Sequence, residues 1–110
     1  MSKVDSRTWT IAGASAALAK SGDDFVTLFS QGTLEIEIYR PVGVDRQVPH
    51  GKDELYVVIA GTGTFVHAGE RTPFQPGDTL FVRAGIPHRF EDFSVDFATW
   101  VFFYGPEGGE

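Results

Sequence analysis

Three histidines, fifteen carboxylates and no cysteine are what this 110-residue sequence offers for building a reactive site. Two segments concentrate them. The first runs Pro49-His50-Gly51-Lys52-Asp53-Glu54-Leu55, the second Gly85-Ile86-Pro87-His88-Arg89-Phe90. Imidazole with carboxylate suits iron(II), manganese, nickel or zinc, whereas copper(I) prefers sulfur. His50 and Glu54 share parity, so an unbroken strand would put both on one face, about 13 Å apart at ~3.3 Å per residue. One ion cannot span that distance, so the chain has to bend between them, and Gly51 is where it can. A helix would unite the pair without a bend, but the β-rich run after Glu54 argues against one. His88 follows the Gly85-Ile86-Pro87 turn, so a strand starts on an imidazole. A lone histidine is more often a surface or satisfied core residue than a ligand.

The elements around these segments read as strands. Residues 1–9 have no clear period and suit an arm or a first short strand. Residues 10–20 are alanine-rich and predict a short helix, stopped by Ser21-Gly22. From there the texture is β. Strands are predicted over 25–30, 33–40, 55–60, 64–68, 71–74, 79–83, 88–91 and 96–104, separated by glycine- and proline-containing turns. Segment 33–40 alternates, with Leu34, Ile36 and Ile38 on one face and Glu35, Glu37 and Tyr39 on the other. The two carboxylates read most simply as a solvated face. Segments 55–60 and 96–104 are apolar on both faces. Eight short strands with frequent turn signals predict an all-β sandwich or barrel, and the length suits one domain over residues 1–110. Ten phenylalanines imply a ring-filled core, an apolar pocket or an interface.

The two segments together resemble the cupin superfamily. Its first motif reads G-x5-H-x-H-x(3,4)-E-x6-G, and His50, Glu54 and Gly61 fall at the spacings of its second half. Its second motif reads G-x5-P-x-G-x2-H-x3-N, and Gly77, Gly85 and His88 match. The resemblance implies an antiparallel double-sheet jelly-roll barrel, here with a short N-terminal helix, and one divalent metal ion on His50, Glu54 and His88. Cupins of the full pattern look like three-His-plus-Glu sites. Val48 stands where the first motif histidine would be, Val42 replaces the motif glycine, and Arg83 and Asp92 replace the second motif's proline and asparagine. What is left is a two-His-one-carboxylate set, which leaves positions open for water, oxygen or substrate and should hold metal less tightly.

Around these ligands, Tyr56 and Phe90 share faces with Glu54 and His88 and are expected to line the barrel. Gln47, beside the vacant ligand position, could orient a water. Trp100 and Phe102 are expected on the pocket side of the last strand, with Phe97, Thr99, Val101 and Phe103 on the other. Asp53 is the alternative to Glu54 as ligand, though the motif spacing favours Glu54. His67 is expected outside the pocket or behind the ligands.

A formal charge of −6 with scattered basic residues argues against nucleic acid and against anionic membrane surfaces. Cysteine's absence excludes disulfides and thiolate chemistry and fits a reducing cytosol, so a cytoplasmic location is expected. No signal-peptide pattern or long apolar run appears. There is no G-x-S-x-G elbow, phosphate loop or dinucleotide fingerprint. Two functional classes remain. One is a metal-dependent oxygenase or isomerase/lyase acting on a small organic molecule. The other is a non-catalytic module that binds or senses one. A general base in the pocket would separate them, and the only candidates are Tyr56, His67 and the ligands themselves. The apolar strands predict a homodimer.

Overall fold

The computed structural model describes residues 7–110. Helix α1 (Ile11–Ser21) is capped by Thr10, whose Oγ1 accepts the Gly13 N–H at 3.0 Å, and it stops at Gly22, whose φ of 74° suits the left-handed helix end. Eight strands follow: β1 (Phe25–Gln31), β2 (Leu34–Tyr39), β3 (Asp53–Ala60), β4 (Gly63–His67), β5 (Glu70–Phe74), β6 (Thr79–Val82), β7 (His88–Glu91) and β8 (Ala98–Tyr104). They form two antiparallel sheets, ordered β1-β2-β8-β3-β6 and β5-β4-β7. This is the double-sheet jelly-roll architecture expected. Its hydrogen bonding remains in two ladders and does not run continuously round a closed barrel. The expected arm or first strand lies partly outside the described residues, and residues 7–10 enter α1 without strand structure. Among the described residues no helix is long and apolar enough to cross a membrane.

The inner faces of the sheets meet over a core of rings. Tyr56, Phe65, Phe74, Phe90 and Phe97 are at most 5 % exposed, and the Phe90 and Phe97 centroids stand 4.7 Å apart. Tilted and edge-on contacts of this kind add to the burial of large apolar area. Gly61 makes the closest approach to this core. Its φ is +87°, and a Cβ there would stand 2.5 Å from the Phe97 Cα, so only glycine fits this turn between β3 and β4.

The outer face of the larger sheet has its own cover. Ala14 and Leu18, one helical turn apart, pack α1 onto Ile38, with Val26, Leu28, Ile59 and Trp100 around them. This explains why β3 and β8 read as apolar on both faces. It also corrects two expectations. Trp100 lies in this helix-side cluster, and Phe102 shares its face by strand alternation, so neither lines the pocket. The inward residues of β8 are Thr99, Val101 and Phe103.

Candidate metal centre

His50 sits in the connection between β2 and β3, Glu54 is the second residue of β3, and His88 is the first of β7. The site therefore bridges the two sheets. The chain does bend at Gly51, and the bend is tied down on both sides. The Gly85 N–H donates to the His50 carbonyl at 2.8 Å, and the Gly108 N–H donates to the Gly51 carbonyl at 2.6 Å. Asp53 adds a clamp. Its Oδ1 accepts the Ala84 N–H at 2.8 Å and its Oδ2 the Glu110 N–H at 3.1 Å. These two N–H groups hold its carboxyl below the ordinary value of 3.8. Asp53 thus joins the segment carrying His50 and Glu54 to the turn leading into His88, which is a positioning role and not the alternative ligand role.

The donor atoms of His50, Glu54 and His88 lie within 4.8 Å of one another. Donors on one tetrahedral, zinc-like ion would stand about 3.4 Å apart, so side-chain adjustments totalling about 1.5 Å would close the set. The ring of His88 is held by the Ile86 carbonyl, 2.8 Å from Nδ1, and its Nε2 stands 2.8 Å from Glu54 Oε1. With the proton on Nδ1, donated to Ile86, a neutral His88 turns a bare lone pair toward the carboxylate. Glu54 is 0 % exposed, and its close polar neighbours are His88 Nε2 and the Tyr56 hydroxyl. Lone pairs facing each other in a buried site require a cation between or beside them, either a second proton on His88 or a metal ion. Burial pulls the His88 pKa down, but the Glu54 contact, the Ile86 carbonyl and the charges of Glu54 and Asp45 outweigh it and raise it above 6.5. The donor set, two imidazoles and a buried acid, fits a borderline divalent ion.

Around the ligands lies a polar frame. The Tyr56 hydroxyl stands 3.0 Å from Gln47 Oε1 and 3.1 Å from His88 Nε2. Burial, then the Glu54 charge, pushes it well above its ordinary value of 10. Gln47 Oε1 is also 3.4 Å from His50 Nε2. Asp45 fixes Gln47, accepting its backbone N–H at 3.1 Å and its side-chain Nε2 at 2.8 Å. Asp45 further accepts the Tyr39 hydroxyl and the buried Phe90 N–H, the latter at 2.8 Å. The sequence reading did not single out Asp45. Its one local signal is the Asx-type contact to the N–H two residues on, and its other partners are distant in sequence.

At the triad's His50 opens a cavity of about 590 Å³, whose lining also includes Gln47, Val48, Val101 and Phe103. The expected pocket residues sort as follows. Gln47 lines this cavity, and Tyr56 contacts His88 from behind it. Phe90 lies within the barrel but in the closed aromatic core, edge-on to Tyr56 at 4.9 Å, so its expected place in the pocket is corrected. His67 is half-buried opposite His88 in the β4–β7 pairing, beside Phe65, and is not part of the donor cluster. Glu35 and Glu37, read as a solvated face, line the cavity instead. The apolar face of β2 turns outward beneath α1, which leaves its acidic face inside.

Comparison with known proteins agrees with this architecture. The family profile described as Cupin domain (Cupin_2) matches residues 35–103. An uncharacterized protein of Streptomyces coelicolor is 36% identical over 63 residues, covering 57% of this chain and 60% of that protein. The aligned part thus spans less than two thirds of the curated relative. The crystal structure of a protein of unknown function from Rhizobium leguminosarum bv. viciae superposes with a TM-score of 0.66 at 22% identity, covering 94% of this chain and 100% of that one. DMSP lyase DddQ of Ruegeria pomeroyi superposes with a TM-score of 0.61 at 25% identity, covering 79% of this chain and 50% of the lyase.

Proposed function

This chain belongs to the Cupin domain family, and on that premise we propose that it holds one divalent metal ion on His50, Glu54 and His88, beside a chamber that takes a small organic molecule. The observation that carries this reading is the fully buried Glu54 carboxylate set 2.8 Å from His88 Nε2, with the donor atoms of His50, Glu54 and His88 within 4.8 Å of one another. A bound ion supplies Lewis acidity or oxygen binding at its open positions. The chain's own residues do the rest. The Ile86 carbonyl holds the proton on His88 Nδ1 and so keeps Nε2 free to ligate. Tyr56, with its raised pKa, keeps its hydroxyl proton and donates it to Gln47 Oε1, which aligns the amide beside His50. Phe103 packs edge-on against His50 with centroids 4.7 Å apart and limits water on that side.

The reaction class we favour is that of an oxygenase or of an isomerase/lyase, the latter named among the chain's structural neighbours. The second reading is a non-catalytic binding module. What favours it is that Tyr56, pushed well above 10, makes a poor base at neutral pH. Oxygen uptake and product analysis with iron-loaded protein across catechols, thiols and keto acids separates the two. Metal binding itself is tested by elemental analysis after loading with iron(II), manganese, nickel or zinc. One equivalent is expected for the unaltered protein and for His67→Ala, and none for His88→Ala. A His88→Ala protein that still takes up a full equivalent refutes the assignment.

Two further expectations belong to the same proposal. A cytoplasmic location rests on the absence of cysteine. A homodimer is supported by the outer face of the larger sheet beyond α1, where Leu55 neighbours Phe102 and Phe81 in register and Phe81 is 46% exposed. Light scattering that finds only the 12.0 kDa species at micromolar concentration removes the dimer.

A further inference from the structure

The chamber beside the triad has an unusual wall. On β2 the apolar residue Ile38 packs outward beneath α1, while Glu35, Glu37 and Tyr39 line the cavity. A strand facing a sealed core would be turned the other way, with its apolar side inward. Glu37 is half-buried, and its one side-chain hydrogen bond is donated by Thr27 Oγ1 at 3.3 Å. Its carboxyl is raised above the ordinary 4.5, first by burial and further by the negative charges of Glu35 and Glu54. Glu54, fully buried and not part of the lining, adds its negative charge to the field at Glu37. Of the two cationic side chains in the lining, Lys52 is engaged by Glu35 at 3.6 Å and by the Thr33 carbonyl at 3.2 Å, which leaves Arg46 against Asp23, Asp24, Glu37 and Glu107. Rings of Phe25, Tyr39 and Phe103 complete the surface.

We propose that this chamber selects a small organic cation, an amine or ammonium compound with an apolar body, seated with its charge at Glu37 and its body on the aromatic wall beside His50. The proposal deepens the reading of the chamber as the ligand site and rests on it. Carboxylates crowded together in a half-buried cavity repel one another, and a cation relieves that repulsion while an anion adds to it. Ring faces reinforce the preference, since their negative quadrupole attracts a cation. The apolar lining holds the uncharged part.

The test is a pair of probes with similar bodies and opposite charge, 2-phenylethylamine and 3-phenylpropionate, titrated by calorimetry or NMR shift into metal-free and metal-loaded protein. The amine is expected to bind about tenfold or more tightly than the carboxylate in the metal-free protein, with the gap narrowing as salt is added. Glu37→Gln is expected to reduce that preference to about threefold or less without changing metal content, since Glu37 is not a ligand. This variant removes like-charge repulsion and should fold. Glu35→Gln provides a second reading of the same effect at a more exposed position. Equal or tighter binding of 3-phenylpropionate to metal-free protein, or an unchanged preference in Glu37→Gln, overturns the proposal. Failure of metal uptake with the amine preference intact refutes the metal centre and leaves the cation chamber standing.

Discussion

Replacing Asp45 tests whether the frame behind the triad is as interdependent as its hydrogen bonds imply. In the native protein its two oxygens accept four donors: the Tyr39 hydroxyl, the Gln47 N–H, the Gln47 side-chain amide and the Phe90 N–H. Asp45→Ala strips all four. The Phe90 N–H belongs to the most deeply buried of these residues, and Tyr39 loses its partner inside the fold. A buried donor left unpaired costs about 1–3 kcal/mol, so two place the loss at about 2–6 kcal/mol, with Gln47 finding water. Asp45→Asn is milder. An amide nitrogen on the Phe90 side opposes the Phe90 N–H, and one on the Tyr39 side opposes the Gln47 N–H while the hydroxyl turns to donate elsewhere. Either way one backbone donor is lost, for about 1–3 kcal/mol. Urea or guanidinium titrations read both variants as shifts in midpoint at constant slope. The order unaltered, Asn, Ala is expected, and metal affinity should fall in the same order as Gln47 loses its anchor. An Asp45→Ala protein within about 1 kcal/mol of the unaltered one refutes this account of the frame.

Three further outcomes are expected. His88 is raised above 6.5 in the folded protein, so its contribution to metal-free stability is full below that value and is lost as pH rises through the folded pKa. Metal uptake requires the neutral ring and strengthens over the same interval, so melting temperatures of metal-free and metal-loaded protein should diverge with rising pH; parallel curves would count against a ligand role for His88. Asp53 is depressed below 3.8, so its contribution is full above that value and lost as pH falls through the folded pKa, and Asp53→Asn should flatten the acid limb of the stability profile. Gly61→Ala, with its Cβ 2.5 Å from the Phe97 Cα and a φ of +87°, should cost more than about 2 kcal/mol. Gly43→Ala, with φ +76° and open space around it, should cost about 1 kcal/mol; equal midpoints for the two variants would show that the clash at Gly61 is relieved by a backbone shift.

Much of the fold was legible because turn residues punctuate it. All eight strands lie where the sequence predicts them, with ends displaced by two residues or fewer. Of the candidate site, His50, Glu54 and His88 were legible together through motif spacing, and the bend that joins the first two through Gly51. Facing was less legible. Strand β8 is apolar on both sides, so its alternation could not say that Val101 and Phe103 point inward and Trp100 outward. On β2 the same ambiguity took the opposite form. Alternation divided the residues correctly into two sets, but the rule that the apolar set faces the core failed, because α1 supplies a second apolar layer and the chamber tolerates acids. Asp45 escaped notice because its partner Phe90 is 45 residues away in sequence, and no local pattern encodes such a contact.

The sheet order also bears on how the chain is made. Strand β8 lies between β2 and β3, pairing with both, so during synthesis neither strand gains its partner on that side until residues 98–104 have emerged. Until then α1 with the β1–β2 hairpin forms one unit, and β3 with β6 another, each presenting an unpaired edge at the place β8 will fill. Closure over such a separation is slow, and the open edges are templates for pairing with other chains in the interval. Yields of folded protein should therefore depend on synthesis rate and temperature more steeply than the stability of the finished molecule alone would suggest.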